Sequence, residues 1–427
     1  MGVAAASAVM AMAVQGFLTR TLGARSFGEY AYSLNVVNFL AMLAVLGFEV
    51  TALRFVASYR AVEQWSLLRG YARRSLQITL ALSLAVALGL VLVARFLPAV
   101  ADKAVAPVLL AAALLLPLLV GMRILAANLQ GLQRAVSGQC LQGLLRPLLL
   151  AVGLGLMLLA AHSRPTPVTL MLINVASTAL TAGLLWLLFR RVAPRGMWDA
   201  SPEFRTAEWL RVTGPLFLIA VSQTLLTSTD TLMLGTMSGT TAAGYYSVAS
   251  QVASAVAFTI TAVNGIVAPM IAELHAQKRY AELQRMIRLA SAGSLIVATP
   301  VLLILVIFGR PIMGLFGPAF VQGLSAMLIL SVGQFSVVAF GSVGFLMTMT
   351  GREGEASRII LISAVVNVAL NALLIPHFGM AGSASATAFS ILLRSLMLTV
   401  RVRTAVGVSA GVLAFLPGYP TKRSRND

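Results

Sequence analysis

Cysteine and acidic residues are scarce in this chain of 427 residues. Its single cysteine, Cys140, excludes an intramolecular disulfide framework. Only 13 residues are Asp or Glu, and charged residues together make up 10% of the sequence, whereas a soluble domain has about a quarter. Hydrophobic residues contribute 59%. A chain with this composition is expected to have the lipid bilayer as its solvent.

Catalytic and nucleotide-binding motifs are also missing. The sequence contains no Asp-x-Asp, His-Glu-x-x-His, Gly-x-Ser-x-Gly or Gly-x-x-x-x-Gly-Lys-Ser/Thr pattern. Its longest segment between hydrophobic runs, residues 190–211, is too short for a catalytic domain. The three histidines are widely separated and are expected at loops or helix ends. The sequence therefore predicts a carrier rather than an enzyme, without a metal or other cofactor and without ATP hydrolysis.

Hydrophobic runs of about 20 residues, the length that spans a bilayer, fill most of the chain. Six lie before residue 190 and six after residue 211, at 2–18, 31–57, 75–97, 108–128, 140–161, 168–189, 212–236, 243–272, 289–309, 322–349, 358–376 and 380–400. They predict an all-α polytopic membrane protein with about 12 transmembrane helices in two six-helix lobes. The predicted domains are an N-terminal lobe (1–189), a cytoplasmic linker (190–211), a C-terminal lobe (212–400) and a basic cytoplasmic tail (401–427).

No basic residue precedes the first hydrophobic run, unlike in a signal peptide. We therefore expect a retained transmembrane helix, and it stays open whether residues upstream of this start are missing. Of the 31 Lys and Arg residues, roughly 21 fall on one side of the predicted membrane and about 6 on the other. This positive-inside pattern predicts that both termini are cytoplasmic. It accounts for most of the net charge of +18, so no nucleic-acid partner is predicted.

Two short patterns recur roughly 212 to 216 positions apart and suggest a duplicated half. Each pairs a Leu-Gly element that ends one hydrophobic run with a Gly-x-Tyr element that opens the next. The patterns are Leu22-Gly23-x4-Gly28-x-Tyr30 in the first half, and Leu234-Gly235 with Gly244-Tyr245-Tyr246 in the second. Fused repeats of membrane helices are a common construction of transporters.

These patterns, together with Asp230-x-Leu232-Met233-Leu234-Gly235 and Asn371-x3-Ile375-Pro376-x2-Gly379-x2-Gly382-Ser383-Ala384, resemble the polysaccharide biosynthesis or oligosaccharide flippase family. That family belongs to the multidrug/oligosaccharidyl-lipid/polysaccharide exporter superfamily, whose fold is MATE-like. The resemblance implies a bacterial inner-membrane carrier that moves a polyprenyl-pyrophosphate-linked oligosaccharide from the cytoplasmic to the outer leaflet for assembly of O-antigen (lipopolysaccharide), capsule or exopolysaccharide. Implied partners are this lipid, membrane lipids, and a polysaccharide polymerase with other assembly proteins.

Four arginines lie within the predicted spans, where a charge is costly unless it faces a cavity or a partner. They are Arg54, Arg123, Arg146 and Arg394. With both termini cytoplasmic, all four fall in the cytoplasmic halves of their helices. Guanidinium groups bind phosphate oxygens in a bidentate manner, so these arginines are candidates to bind the pyrophosphate headgroup. An alternative stays open, in which they extend to the membrane interface and have no further role.

Asp230, Glu49 and Arg20 are candidates for ion coupling or for a contact between the lobes. Asp230 lies among threonines and serine at membrane depth, where it would coordinate a cation, relay a proton or pair with Arg20. Glu49 and Arg54 are five residues apart, about 140° around a helix, and are expected on different faces. Two other functions stay open: a cation-coupled multidrug or small-molecule exporter, and a membrane enzyme or assembly factor, which the short loops disfavour.

Overall fold

The computed structural model describes residues 2–96, 104–161 and 165–412. Helices make up 91% of the structure and these residues contain no β-strand, so the all-α fold class is confirmed. In this part of the chain, eight helices are long and apolar enough to cross a membrane, or up to nine if a bent pair is counted as one span. The protein is therefore a multi-pass membrane protein, while the number of twelve spans stays a prediction.

The helices follow one another through short connections. In chain order they are α1 (Gly2–Val45), α2 (Phe48–Ala61), α3 (Trp65–Phe96), α4 (Ala106–Gly131), α5 (Ala135–Cys140), a π-helical turn (Leu141–Leu145), α6 (Arg146–Ala161), α7 (Pro167–Val192), α8 (Arg195–Asp199), α9 (Thr206–Met237), α10 (Thr240–Ala276), α11 (Tyr280–Gly314), a 3₁₀ turn (Pro318–Gly323), α12 (Leu324–Phe340), α13 (Val343–Met349) and α14 (Glu353–Val406).

Helices α1 and α14 are too long for single membrane spans. Their 44 and 54 residues would extend about 66 Å and 80 Å if straight, against a hydrocarbon core of about 30 Å. Each is interrupted by one glycine with positive φ, Gly23 (75°) and Gly379 (54°). The chain becomes helical again directly after Gly23, earlier than the predicted start at residue 31. An ion pair of 3.4 Å between Arg25 and Glu29, one turn apart, is compatible with this early start.

Residues Gly2–Thr224 form one compact unit, called here the N-unit. Its core is built on α4, whose leucines include Leu115, Leu116 and Leu119, all nearly inaccessible to solvent. The first turns of α9 also belong to this core. Trp209 is fully buried, its Nε1 donates to the Tyr59 hydroxyl at 3.0 Å, and its ring meets that of Tyr71 edge-on.

The connection between α7 and α9 is anchored on the start of α3. Arg69 donates from Nη1 to the carbonyl oxygens of Trp198 (2.6 Å) and Ala200 (2.7 Å). The backbone N–H of Glu203 donates to the carbonyl of Ser66 at 3.0 Å. The sequence-predicted linker of 190–211 thus includes the end of α7, all of α8 and the start of α9. The predicted lobe boundaries stay a prediction.

Residues from Leu225 onward form a second compact unit, called here the C-unit. Apolar side chains of α10, α11, α13 and both ends of α14 form one core cluster, including Ile271, Leu283, Leu346 and Val402. The predicted span 322–349 is divided in the structure into α12 and α13. The break is at Gly341, which has a φ of 72°.

Candidate substrate site

Arg146 begins α6 directly after the π-helical turn Leu141–Leu145. The next residue is Pro147, which has no N–H to donate to the carbonyl four residues earlier. A wider turn at this point accommodates the missing hydrogen bond, and such π turns often occur at functional positions. Arg146 therefore lies at the junction of a π-helical turn and an α-helix, within a predicted membrane span.

The guanidinium of Arg146 is held by neutral partners. Its Nε donates to Thr178 Oγ1 at 3.0 Å and its Nη2 donates to Asn174 Oδ1 at 3.1 Å, both on α7. Asn174 in turn donates from Nδ2 to the hydroxyl of Tyr30 at 2.8 Å. Asn174, Thr178 and Tyr30 are buried. None of these groups is anionic. They fix the orientation of the guanidinium, and no acidic side chain in the part of the chain that the structure describes forms an ion pair with it.

Arg123 on α4 adds a second cation near this network. Its Nη2 donates to Asn38 Oδ1 on α1 at 3.1 Å, and its Nε lies 3.8 Å from Glu49 Oε1 on α2. The Arg123 charge is close enough to act on Arg146. The structure thus brings together three of the sequence-predicted residues, Arg123, Arg146 and Glu49, in the N-unit. The glutamate partly offsets one of the two positive charges.

The remaining predicted basic residues lie elsewhere. Arg54 is exposed on α2, with its guanidinium carbon 6.0 Å from the centre of the Phe55 ring. Arg20 is exposed, three residues before the break at Gly23. Arg394 lies in the second half of α14, and its side chain forms no hydrogen bond or ion pair within the described part of the chain. The structure does not bring Arg54 into the group formed by Arg123 and Arg146.

Asp230 is the centre of a polar network in the C-unit. Its Oδ2 accepts hydrogen bonds from the hydroxyls of Tyr246 (2.8 Å) and Thr387 (2.6 Å), and its Oδ1 accepts one from Asn371 Nδ2 (2.9 Å). Asn367 donates to Thr387 at 3.1 Å. Asp230 is only 3% exposed. Three donors converge on one carboxyl group, which is the arrangement that suits an ionised acceptor. Its pairing with Arg20 stays a prediction.

The two networks are built around equivalent positions of the repeat. Gly239 lies 216 residues after Gly23, and both have positive φ. Tyr246 lies 216 residues after Tyr30; both are buried, and each hydroxyl takes part in its polar network. In the N-unit that network contains an arginine, Arg146, and in the C-unit it contains an acidic residue, Asp230.

Sequence reasoning missed the neutral members of these networks. Tyr30 and Tyr246 were noted only as markers of the repeat, and Asn38, Asn174 and Asn367 were not singled out. An amide within an apolar run is the signal that would have identified them, because it needs a buried hydrogen-bond partner. Among the described residues there is no group of three His, Cys, Asp or Glu side chains that would hold a metal ion.

Solved transporters have the same fold. An inward-facing multidrug-resistance MATE transporter superposes with a TM-score of 0.76 over 94% of this chain and 94% of its own, at 15% identity. The lipid II flippase MurJ, in an inward closed conformation, gives a TM-score of 0.72 over 94% of this chain and 86% of its own, at 12% identity. These similarities show a MATE-like fold.

Sequence comparison identifies the family of the chain, whereas the structural similarity shows its fold. The probable flippase AglR of Haloferax volcanii is 27% identical over 42% of this chain and 40% of its own length. The curated relatives are matched over only 29% to 40% of their length. The profile of the family described as polysaccharide biosynthesis protein matches residues 1–275, more than half of the chain. The chain therefore belongs to the polysaccharide biosynthesis protein family.

Proposed function

We propose that this protein is a flippase that moves a polyprenyl-pyrophosphate-linked oligosaccharide from the cytoplasmic to the outer leaflet by alternating access. The observation that carries the proposal is the half-buried Arg146 guanidinium in the N-unit, whose hydrogen bonds among the described residues go to hydroxyl and amide groups. An uncompensated positive charge at membrane depth is costly unless an anion or water reaches it. A pyrophosphate headgroup supplies that anion, and guanidinium groups bind phosphate oxygens by paired hydrogen bonds.

Arg146 is the principal headgroup residue in this proposal, and Arg123 assists it. Arg54 and Arg394 remain predicted headgroup residues; Arg54 is exposed, and Arg394 forms no ion pair within the described residues. The polyprenyl tail stays in lipid. The product serves assembly of surface polysaccharide, such as O-antigen, capsule or exopolysaccharide. The proposed location is the bacterial inner membrane with both termini cytoplasmic, beside a polysaccharide polymerase and other assembly proteins.

The second candidate is a cation-coupled exporter of drugs or small molecules. The buried Asp230, with its three hydrogen-bond donors, favours a coupling role for the C-unit, and such coupling is compatible with either substrate. The two candidates differ in the N-unit, because an exporter of cationic drugs is expected to have an acidic site. A half-buried arginine with no acidic partner among the described residues disfavours cationic cargo.

The test is transport of a fluorescent undecaprenyl-pyrophosphate-linked sugar by the purified full chain in proteoliposomes. We expect Arg146→Gln to reduce the flipping rate at least about tenfold, the equivalent of one charge-assisted hydrogen bond. Arg146→Lys should retain a minor part of the activity, because lysine keeps the charge without the paired donors. Arg288→Gln, an exposed arginine of the C-unit, is the matched control. A flipping rate of Arg146→Gln equal to that of the control, at equal reconstitution, would refute the proposal.

A further inference from the structure

A cleft with both polar and apolar lining opens in the N-unit, on a different face of α4 from Arg123. It has a volume of about 310 Å³ and lies between α3, α4, the end of α7 and α8. Its polar and aromatic lining includes Arg69, Arg73, Gln77, Asn128, Trp186 and Trp198. Asn128 follows Arg123 by five residues, about 140° around the helix, so the two side chains point to different faces of α4. The volume is at the lower end of the range for ligand pockets, about 300–1,000 Å³.

The wall formed by α4 presents a hydrogen-bond acceptor without a donor. Asn128 is only 2% exposed, and its Oδ1 has no hydrogen-bond partner in the described structure. Buried amide oxygens are nearly always paired, and an unpaired one is costly. A ligand hydroxyl in the cleft would satisfy it.

The wall formed by α3 presents cationic and amide donors. Arg73 is exposed and forms no hydrogen bond or ion pair among the described residues. Arg69 is held in place because its Nη1 donates to the carbonyls of Trp198 and Ala200. Gln77 lies one turn beyond Arg73 on the same helix and adds an amide group. Donors of this kind, with a net positive charge, suit a phosphate group.

The remaining wall is aromatic and partly open. The rings of Trp186 and Phe189 are stacked with centroids 6.2 Å apart, and Trp198 meets Phe189 edge-on. Trp186 is 40% exposed. Tryptophan is enriched at the level of lipid headgroups, where its apolar ring contacts acyl chains and its N–H faces polar groups. The positive-inside pattern predicts that this end of the N-unit faces the cytoplasm.

We propose that this cleft binds the headgroup of an anionic phospholipid that carries hydroxyl groups, of the phosphatidylglycerol type. Arg73 and Arg69 attract the phosphate, Asn128 accepts a hydrogen bond from a headgroup hydroxyl, and Trp186 contacts the start of the acyl chains. Basic pockets between transmembrane helices on the cytoplasmic side recognise anionic lipid headgroups elsewhere for the same electrostatic reasons. The site depends only on the protein being embedded in a membrane and is independent of the flippase substrate.

The test uses tryptophan emission, because Trp186 and Trp198 line the cleft. The full chain is reconstituted in phosphatidylcholine with brominated acyl chains, which quench tryptophan, and non-brominated phosphatidylglycerol is titrated in. We expect tryptophan emission to recover as phosphatidylglycerol displaces the brominated phosphatidylcholine from the cleft. The recovery should correspond to about a tenfold preference for phosphatidylglycerol over phosphatidylcholine, the equivalent of one charge-assisted hydrogen bond. Arg73→Gln should abolish most of this preference. Arg191→Gln, which removes an exposed arginine near the end of α7 that does not line the cleft, should retain it.

Two further arms identify the ligand. Asn128→Leu should leave the preference over phosphatidylcholine largely intact but remove any preference over phosphatidic acid, which lacks the glycerol hydroxyls. Glycerol 1-phosphate at millimolar concentration should not restore emission. The proposed site would be refuted if Arg73→Gln and Arg191→Gln had equal preferences for phosphatidylglycerol over phosphatidylcholine, or if the unsubstituted protein had none. Full recovery by glycerol 1-phosphate would show a soluble phosphate ligand and overturn the lipid assignment.

Discussion

The anchoring of the α7–α9 connection on α3 makes a quantitative prediction for Gly70→Ala. A Cβ atom on Gly70 would lie 1.7 Å from the carbonyl oxygen of Glu203. Since real contacts of this kind are not shorter than about 3 Å, the Glu203 backbone would have to move by more than 1 Å. The helix cannot give way as easily, because Leu68 and Tyr71 on either side are fully buried. The connection is therefore expected to detach from α3.

The cost follows from the hydrogen bonds that this movement breaks. They join Glu203 N to Ser66 O, Arg69 Nη1 to two carbonyl oxygens, and Arg74 Nε to Thr206 Oγ1. At a net contribution of about 1 kcal/mol each, with some replaced by water, we expect a loss of about 2–4 kcal/mol in the free energy of unfolding of the N-unit. Gly89→Ala on the same helix is the matched control, because no atom lies within 4 Å of its added Cβ.

Intrinsic fluorescence provides the assay, because all four tryptophans of the chain, at positions 65, 186, 198 and 209, lie in the N-unit. Unfolding of the purified protein is followed by tryptophan emission and, in parallel, by far-ultraviolet circular dichroism. Gly70→Ala should shift the fluorescence transition to lower temperature, and Gly89→Ala should leave it unchanged or raise it. If both variants unfold at the temperature of the original protein, the close packing of Glu203 against Gly70 is incorrect.

Two further substitutions test the backbone break and the carboxylate network. Gly23→Ala has open space around its Cβ, so only the backbone conformation opposes it, with φ 75° and ψ 172° in a region that essentially only glycine adopts. We expect a loss of about 1–3 kcal/mol, measured as a lower unfolding temperature. Gly183→Ala, also in open space but without positive φ, should have no such effect. Tyr246→Phe removes one of the three donors to Asp230 and should cost about 0.6–1.7 kcal/mol, the range for hydrogen bonds in membrane proteins, by circular dichroism in denaturant. Full stability of Tyr246→Phe would contradict the assigned contact.

The fold class was predictable from hydrophobic runs because the bilayer imposes both a length and an absence of charge on each span. Breaks within the runs were less predictable. The helix starts again directly after Gly23 because a single residue with positive φ is enough to separate two helices. The ion pair of Arg25 with Glu29 is compatible with helix between the predicted runs 2–18 and 31–57. Hydropathy alone does not detect either effect.

Arg123, Arg146 and Asp230 were predictable as candidates because an ionisable residue in an apolar run has few explanations. Their partners were not predictable. Asn174 contacts Tyr30 across 144 residues of sequence, and Asn371 contacts Asp230 across 141. In nearly uniform apolar helices, periodicity does not specify which face is turned inward, so the pairing of distant polar residues requires the packed structure. For the same reason, the sequence does not show that Arg123 and Arg146 lie near each other while Arg54 lies elsewhere.

The opposite charges at the two repeated tyrosines have a consequence for the origin of the chain. A homodimer of identical halves carries every side chain twice, so a guanidinium under one tyrosine would be repeated under the other. Fusion into one chain removes that constraint, because each half then changes independently. The hydrogen-bond network of Tyr30 includes Arg146, and that of Tyr246 includes Asp230. Residues of opposite type at matched positions are thus compatible with one fused chain, whereas a dimer of identical halves would not have them.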